Sequence, residues 1–163
     1  MKSKKNAANL IKSLCLGGLI SLPLVNVAQA ATVEWSGAIA NSCVVTLSNH
    51  GSLGVSVNGQ MMSSEQVAGL PARVAVMSTG ANVLTISSPS VTLQPANYVG
   101  SPIIQTKHSS NKGHAGDWKT TPHQASIEAG DAVFDIHAQL TDASNAFPMG
   151  LYKVSSEVTC SPN

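Results

Sequence analysis

The sequence predicts an all-β domain, an antiparallel β-sandwich, and three observations support this fold class. Charged residues make up only 10% of the chain, and small and β-branched residues dominate it, which suits sheets better than helices. Several short segments alternate apolar and polar side chains, which is the pattern of a half-buried strand. Turn residues separate these segments at short intervals, as is typical of a sandwich.

Residues 1–30 precede this domain and have the three parts of a cleavable secretory signal peptide. Four lysines lie in the first 12 residues, an apolar stretch covers 14–25, and Ala28-Gln29-Ala30 is an A-x-A cleavage site. The apolar stretch is short and contains Gly, Ser and Pro, so it is a poor transmembrane helix. The sequence therefore predicts an exported chain with no membrane span after cleavage and a single domain over residues 31–163.

Cleavage changes the charge balance of the chain. Residues 1–30 hold four of the nine Lys and Arg residues and none of the eight Asp and Glu residues, which leaves a formal charge of −3 on residues 31–163. The remaining basic residues are few and scattered. The sequence therefore predicts no nucleic-acid partner and no polybasic patch for anionic lipid.

Cys43 and Cys160 are the two cysteines that remain after cleavage. In an exported chain, two cysteines predict one disulfide bond, and two free thiols are the alternative. The bond would connect the start of the domain to its last strand. In the chain-entropy model, closing so long a loop stabilises the fold by up to about 5 kcal/mol.

The first predicted strand occupies residues 32–39, where apolar and polar side chains alternate. Further short strands are predicted over 52–57, 73–77, 82–86 and 91–93, and residues 43–47 form a second strand or continue the first. Only residues 61–69 favour a helix, of at most two turns, because serines can cap it and Gly69 with Pro71 would end it.

Residues 107–123 form a polar stretch without an apolar period, which predicts a long exposed loop. The loop contains Trp118, whose indole can stack on a sugar or anchor a partner protein. The C-terminal third alternates most clearly, over 134–141 and again over 151–160. Two such strands joined by a turn predict an antiparallel hairpin.

No motif in the sequence indicates catalysis. The chain lacks a G-x-S-x-G elbow, an H-E-x-x-H helix and a glycine loop for phosphates. His108, His114 and His123 are spaced by six and nine residues, which matches no compact metal-ligand motif. The sequence therefore predicts no enzyme, no cofactor and no metal, and it leaves open whether these loop histidines bind a metal.

The stretch from Thr32 to Val45 resembles the mature N-terminus of chaperone–usher fimbrial subunits, which follow T-V-x-aromatic-x-G-x-aliphatic, three residues, Cys, x, Val. Residues 150–160 are similar to the closing strand of fimbrial and spore-coat-U-like surface proteins. The resemblance covers the two ends of the domain. It implies an Ig-like, pilin-like sandwich that lacks one strand and accepts the N-terminal strand of a neighbour.

The resemblance implies that residues 31–42 are a donor-strand arm, in which the partner-binding residues are Val33, Trp35, Gly37 and Ile39. The implied partners are like subunits or other surface subunits, with a periplasmic chaperone and an usher. The chain departs from the family in the distant second cysteine, Cys160, and in the short arm. Both departures favour a self-complete sandwich that pairs its own first strand.

Two functions follow as expectations. The first is a non-enzymatic structural or adhesive subunit of a bacterial surface filament, located in the periplasm and then in a fimbrium at the cell surface. The alternative is a monomeric secreted sandwich that binds a carbohydrate or protein partner through residues 107–123, with Trp118 as the contact residue.

Overall fold

The structure, a computed structural model, describes residues 34–163, and the predicted signal peptide lies outside the described residues. Residues 34–163 contain eleven β-strands and no helix, which confirms the all-β prediction. The strands are β1 (Cys43–Asn49), β2 (Gly54–Val55), β3 (Met61–Ser63), β4 (Ala72–Ser78), β5 (Asn82–Ile86), β6 (Ser90–Leu93), β7 (Ile103–Ser110), β8 (His123–Ile127), β9 (Gly130–Thr141), β10 (Lys153–Ser155) and β11 (Val158–Pro162).

The strands form antiparallel sheets that face each other across one core. In the first sheet β1 pairs with β4 and β4 with β9, while β7 pairs with the other side of β9. β3 and β2 extend this sheet beside the last residues of β9. In the facing sheet β5 lies between β11 and β8. A short pair of β6 and β10 continues β5 and β11, and the Ser156 hydroxyl donates to the Ser87 carbonyl oxygen at the break between them.

The core takes alternate residues from both sheets, because successive side chains of a strand point to opposite faces. Phe134, Leu84 and Ile86 are fully buried. The buried apolar cluster consists of Val74, Val76, Leu84, Ile86, Ala125, Ile127, Ala132, Phe134 and Ile136. Burying an aliphatic or phenyl side chain of this size contributes about 1.5–3 kcal/mol, so this cluster is the main source of stability.

The predicted helix over 61–69 is wrong. Met61–Ser63 form β3, which pairs with β9 and with β2, and turns follow it. Met62 is 8% exposed. Pairing with an existing sheet buries this segment, and tertiary packing of this kind commonly overrides local capping signals.

The predicted C-terminal hairpin is also wrong, and the predicted first strand does not form over its described part. The alternation over 134–141 and 151–160 is present, but β9 pairs with β3, β4 and β7, and β11 pairs with β5. Alternation defines which face of a strand is buried, but it does not determine which strand pairs with it. Residues 34–39, the described part of the predicted first strand, belong to no strand.

The connection from β9 to β10 is held by aromatic rings beside the main core. The ring of Tyr98 lies 5.3 Å from that of Phe147 and 5.9 Å from that of Tyr152, between centroids. The Tyr98 hydroxyl donates to Asp142 Oδ2 at 2.7 Å. Burial and then this hydrogen bond raise the pKa of Tyr98, and the same hydrogen bond lowers the pKa of Asp142. The cluster therefore keeps the chain in place before it enters the second sheet.

Candidate functional site

The N-terminal arm is the first of three features that bear on function, and its described part is residues 34–42. Trp35 is 88% exposed and Ile39 is 87% exposed. A Cβ atom at Gly37 would meet nothing within 4 Å, so no contact among the described residues requires glycine there. Val33, the other predicted donor residue, lies outside the described residues. The described large apolar side chains of the arm, Trp35 and Ile39, are thus exposed.

The root of the arm is tied to the turn between β4 and β5. Asn82 is 1% exposed, and its side-chain N–H groups point to Asn41 Oδ1 at 2.9 Å and to the Ser42 carbonyl oxygen at 3.3 Å. The Thr79 hydroxyl donates to the Ala40 carbonyl oxygen at 2.9 Å. The arm therefore leaves the sandwich from a fixed point. Sequence reasoning missed this contact because its partners lie about 40 residues apart and share no local pattern.

The open edge, formed by β1 and β11, is the second feature. Among residues 34–163, β1 pairs only with β4 and β11 only with β5. The disulfide Cys43–Cys160 joins the two strands with its Cα atoms 5.9 Å apart, as the sequence predicts. Val44 is 57% exposed and Leu47 is 50% exposed. An unpaired strand edge with apolar side chains is a template for pairing with another chain.

The covered edge, formed by β7, β8 and residues 111–122, is the third feature. The prediction of a loop over 107–123 is wrong at both ends, because its first four residues belong to β7 and His123 begins β8. The remaining residues fold back along β7, where the backbones of Thr106 and Lys119 exchange two hydrogen bonds of 2.9 Å. The loop therefore covers the edge of β7, which protects that edge from pairing with another chain.

Trp118, the predicted contact residue, is half-buried in this loop. Lys107 Nζ lies 4.8 Å from the centroid of the indole ring, a cation–π contact. The same ammonium group lies 2.8 Å from Glu65 Oε1. Trp118 therefore packs against β7 of its own chain, and its contact with a ligand stays a prediction.

A cavity of about 550 Å³ lies between the covering loop and β8. Its lining includes His108 from β7, His123 from β8, and His114, Asp117 and Lys119 from the loop. The rings of His108 and His123 are stacked, with centroids 5.3 Å apart and planes 11° apart. Three histidines that the sequence places in one loop are therefore brought together from two sheets and a loop.

Two imidazole nitrogens at this cavity are buried without a hydrogen-bond partner, Nδ1 of His108 and Nε2 of His123. His108 as a whole is 6% exposed. Burial, then the neighbouring imidazoles of His123 and His114, lower the pKa of His108. Unpartnered buried polar atoms are rare and cost about 1–3 kcal/mol each, so two at one cavity indicate a site that a polar ligand would complete.

The geometry of the histidines does not favour a metal ion. Within the described range 34–163, no three His, Cys, Asp or Glu side chains are placed to hold one. A metal bound to an imidazole lies close to the plane of the ring, and two nearly parallel stacked rings share no such position. The described residues therefore offer no three-ligand site in this conformation.

No helix of the described residues is long and apolar enough to span a membrane. No protein-family model matches the chain, and no curated protein sequence is significantly similar to it. Proposals for its function therefore depend on the arm, the open edge and the histidine cavity.

Proposed function

We propose that this chain is a non-enzymatic structural or adhesive subunit of an exported surface filament, assembled by β-strand addition. The observation that carries the proposal is the arm, in which Trp35 and Ile39 are almost fully exposed at alternating positions. In this proposal, the arm of one subunit supplies Val33, Trp35, Gly37 and Ile39 to an unpaired strand edge of the next. The sandwich is then Ig-like and pilin-like, and like or other surface subunits are its partners.

The export route belongs to the same proposal. The signal peptide directs the chain to the periplasm, where its disulfide forms, and it then reaches a fimbrium at the cell surface. A subunit with an exposed apolar arm and an unpaired edge is prone to premature association. A periplasmic chaperone and an usher are therefore partners that fit the proposal.

In the open edge, strand β1 is as long as the donor segment of the arm and could accept it as a neighbouring strand. The donor side chains occupy residues 33–39, seven positions, and β1 also has seven residues. The free side of β1 carries backbone groups without a partner among the described residues. An added strand would satisfy these groups, and its side chains would cover Leu47, which is 50% exposed.

Gly37 supports the proposal because no contact among the described residues requires a glycine at this position. Its position is open, since a Cβ atom placed there would have no other atom within 4 Å. Glycine in a strand marks a place where another backbone approaches closely. The self-complete alternative, in which the arm pairs with its own sandwich, is less favoured because residues 34–39 lie in no strand.

The test is the assembly state of the mature chain, residues 31–163, after export to a bacterial periplasm. We expect concentration-dependent oligomers by light scattering and ladders on non-reducing SDS gels run without heating. Trp35→Asp should lower the association constant at least about tenfold, since burial of a large apolar side chain contributes about 1.5–3 kcal/mol.

Val57→Asp is the matched control, because Val57 is an equally exposed apolar residue outside the arm. Its assembly should equal that of the wild type. Gly37→Ala should weaken assembly while leaving the free energy of unfolding of the monomer unchanged, as its position is open. A monomer at every concentration, or equal behaviour of Trp35→Asp and Val57→Asp, would contradict strand addition.

A second function, ligand binding by a secreted sandwich, is favoured by one specific observation, the histidine cavity of the covered edge. Deleting residues 31–37 separates the two functions. The deletion should abolish assembly by strand addition, and it should leave binding at the cavity intact.

A further inference from the structure

The cationic groups of this domain are concentrated at the covered edge. Residues 31–163 contain five Lys and Arg residues and five histidines. Three residues of each group lie between 107 and 123, where Asp117 is the one acidic residue. The rest of the domain has two basic and seven acidic residues. Within the cavity lining Lys119 is offset by Asp117, so protonation of His108 would make the site positive in a negatively charged domain, which favours an anionic ligand over a cationic one.

The cavity wall is more polar than apolar, and two imidazole nitrogens lie buried beside it. The buried Nδ1 of His108 and Nε2 of His123 have no partner, and both nitrogens of a protonated imidazole are donors. The charged and titratable side chains that face His108 at this cavity are His114, Asp117, Lys119 and His123. From β9, His108 meets the ring of Phe134, 6.1 Å away between centroids.

We propose that this cavity binds a small, sugar-sized molecule through an anionic group, a carboxylate or a phosphate. Oxygen atoms of such a group would accept hydrogen bonds from Lys119 and, where the ligand turns an imidazole ring towards the cavity, from its unpartnered nitrogen. Hydrogen bonds between charged groups are about twice as strong as neutral ones. The cavity volume of about 550 Å³ lies in the usual range for small-molecule sites.

Proton uptake follows from the surroundings of His108. Burial and two neighbouring imidazoles disfavour its charged form, so the free protein keeps it neutral near pH 7. A bound anion favours the charged form, so binding must be tighter at lower pH. Binding at this cavity is independent of strand addition, because its lining among the described residues includes no residue of the arm.

The experiment is calorimetric titration of the mature protein with D-glucuronate, glucose 6-phosphate and glucose, at pH 5.5 and 7.5, in two buffers of different ionisation enthalpy. We expect an anion to bind at least about tenfold more tightly at pH 5.5 than at 7.5, with net proton uptake, and glucose to bind at least tenfold more weakly than that anion. Binding of glucuronate alone assigns a carboxylate ligand, and binding of glucose 6-phosphate alone assigns a phosphate.

His123→Gln should weaken anion binding at least about tenfold, whereas His50→Gln, at an exposed position outside the cavity, should leave the affinity unchanged. Lys119→Gln is a second variant, at an exposed lining position where folding is not at risk. It should also weaken binding of the anion. Equal binding of glucose, equal affinity at both pH values, no binding of any probe, or wild-type binding by both variants would overturn the inference.

Discussion

On one side of the sandwich the backbone of residues 111–122 covers β7, whereas on the other side β1 and β11 keep an edge unpaired among the described residues. The two sides also differ in how the sheets are joined. At the covered edge, two stacked imidazoles lie between β7 and β8. At the open edge, the disulfide Cys43–Cys160 connects β1 to β11.

This difference separates two kinds of binding within one small domain. A covered edge cannot accept a strand, but its covering loop forms one wall of an open cavity lined by histidines, which suits a small ligand. An open edge held by a covalent bond keeps its unpaired backbone groups in place, which suits a partner chain. The covered edge is therefore expected to respond to pH, and the open edge to respond to redox conditions and to changes in the arm.

The largest expected effect comes from removing the covalent link at the open edge. The Cys43→Ser, Cys160→Ser double variant should lose up to about 5 kcal/mol of unfolding free energy, because the bond closes nearly the whole domain into one loop. Urea unfolding followed by tryptophan fluorescence measures this loss. Wild-type protein unfolded under reducing conditions is the control and should match the double variant. A loss below about 1 kcal/mol would show that the open edge does not depend on the bond.

A smaller effect is expected from Asn82→Ala, which releases the root of the arm. The variant removes the side-chain donor that lies 2.9 Å from Asn41 Oδ1, and leaving buried groups without partners costs about 1–3 kcal/mol. Asn97→Ala, at an exposed position, is the matched control and should stay within about 0.5 kcal/mol of the wild type. Equal unfolding free energies of the two variants would mean that the root of the arm is not held by Asn82.

The smallest expected effect is the dependence of stability on pH at the covered edge. Burial lowers the pKa of His108 and of His137 below the ordinary value of 6.5. The unfolded chain therefore binds more protons, and the unfolding free energy should fall as the pH drops below 6.5 towards the folded-state values. One proton contributes a slope of at most about 1.4 kcal/mol per pH unit.

His108→Gln should flatten this dependence in part, since His137 still titrates, and His50→Gln should leave it unchanged. Urea unfolding at intervals between about pH 8 and pH 5 measures both slopes. Equal slopes for the wild type and His108→Gln would show that His108 does not titrate as its burial implies.

Some features of the fold could be predicted from local sequence because their physical cause is local. The alternation of Phe134 and Ile136 with Asp135 defines a buried and an exposed face whatever strand lies beside them. The disulfide Cys43–Cys160 followed from the number of cysteines in an exported chain. The alternating apolar positions of the arm were visible for the same reason.

The sequence by itself determined the class of the fold, the buried faces of its strands and the residues of the disulfide. Only the tertiary structure decided which strands pair, because strands with the same alternation compete for the same neighbours and long-range packing selects among them. Packing also brought His108 onto His123 and Asn82 onto the root of the arm. These contacts join residues 15 to 41 positions apart, and such distances leave no periodic signal in the chain.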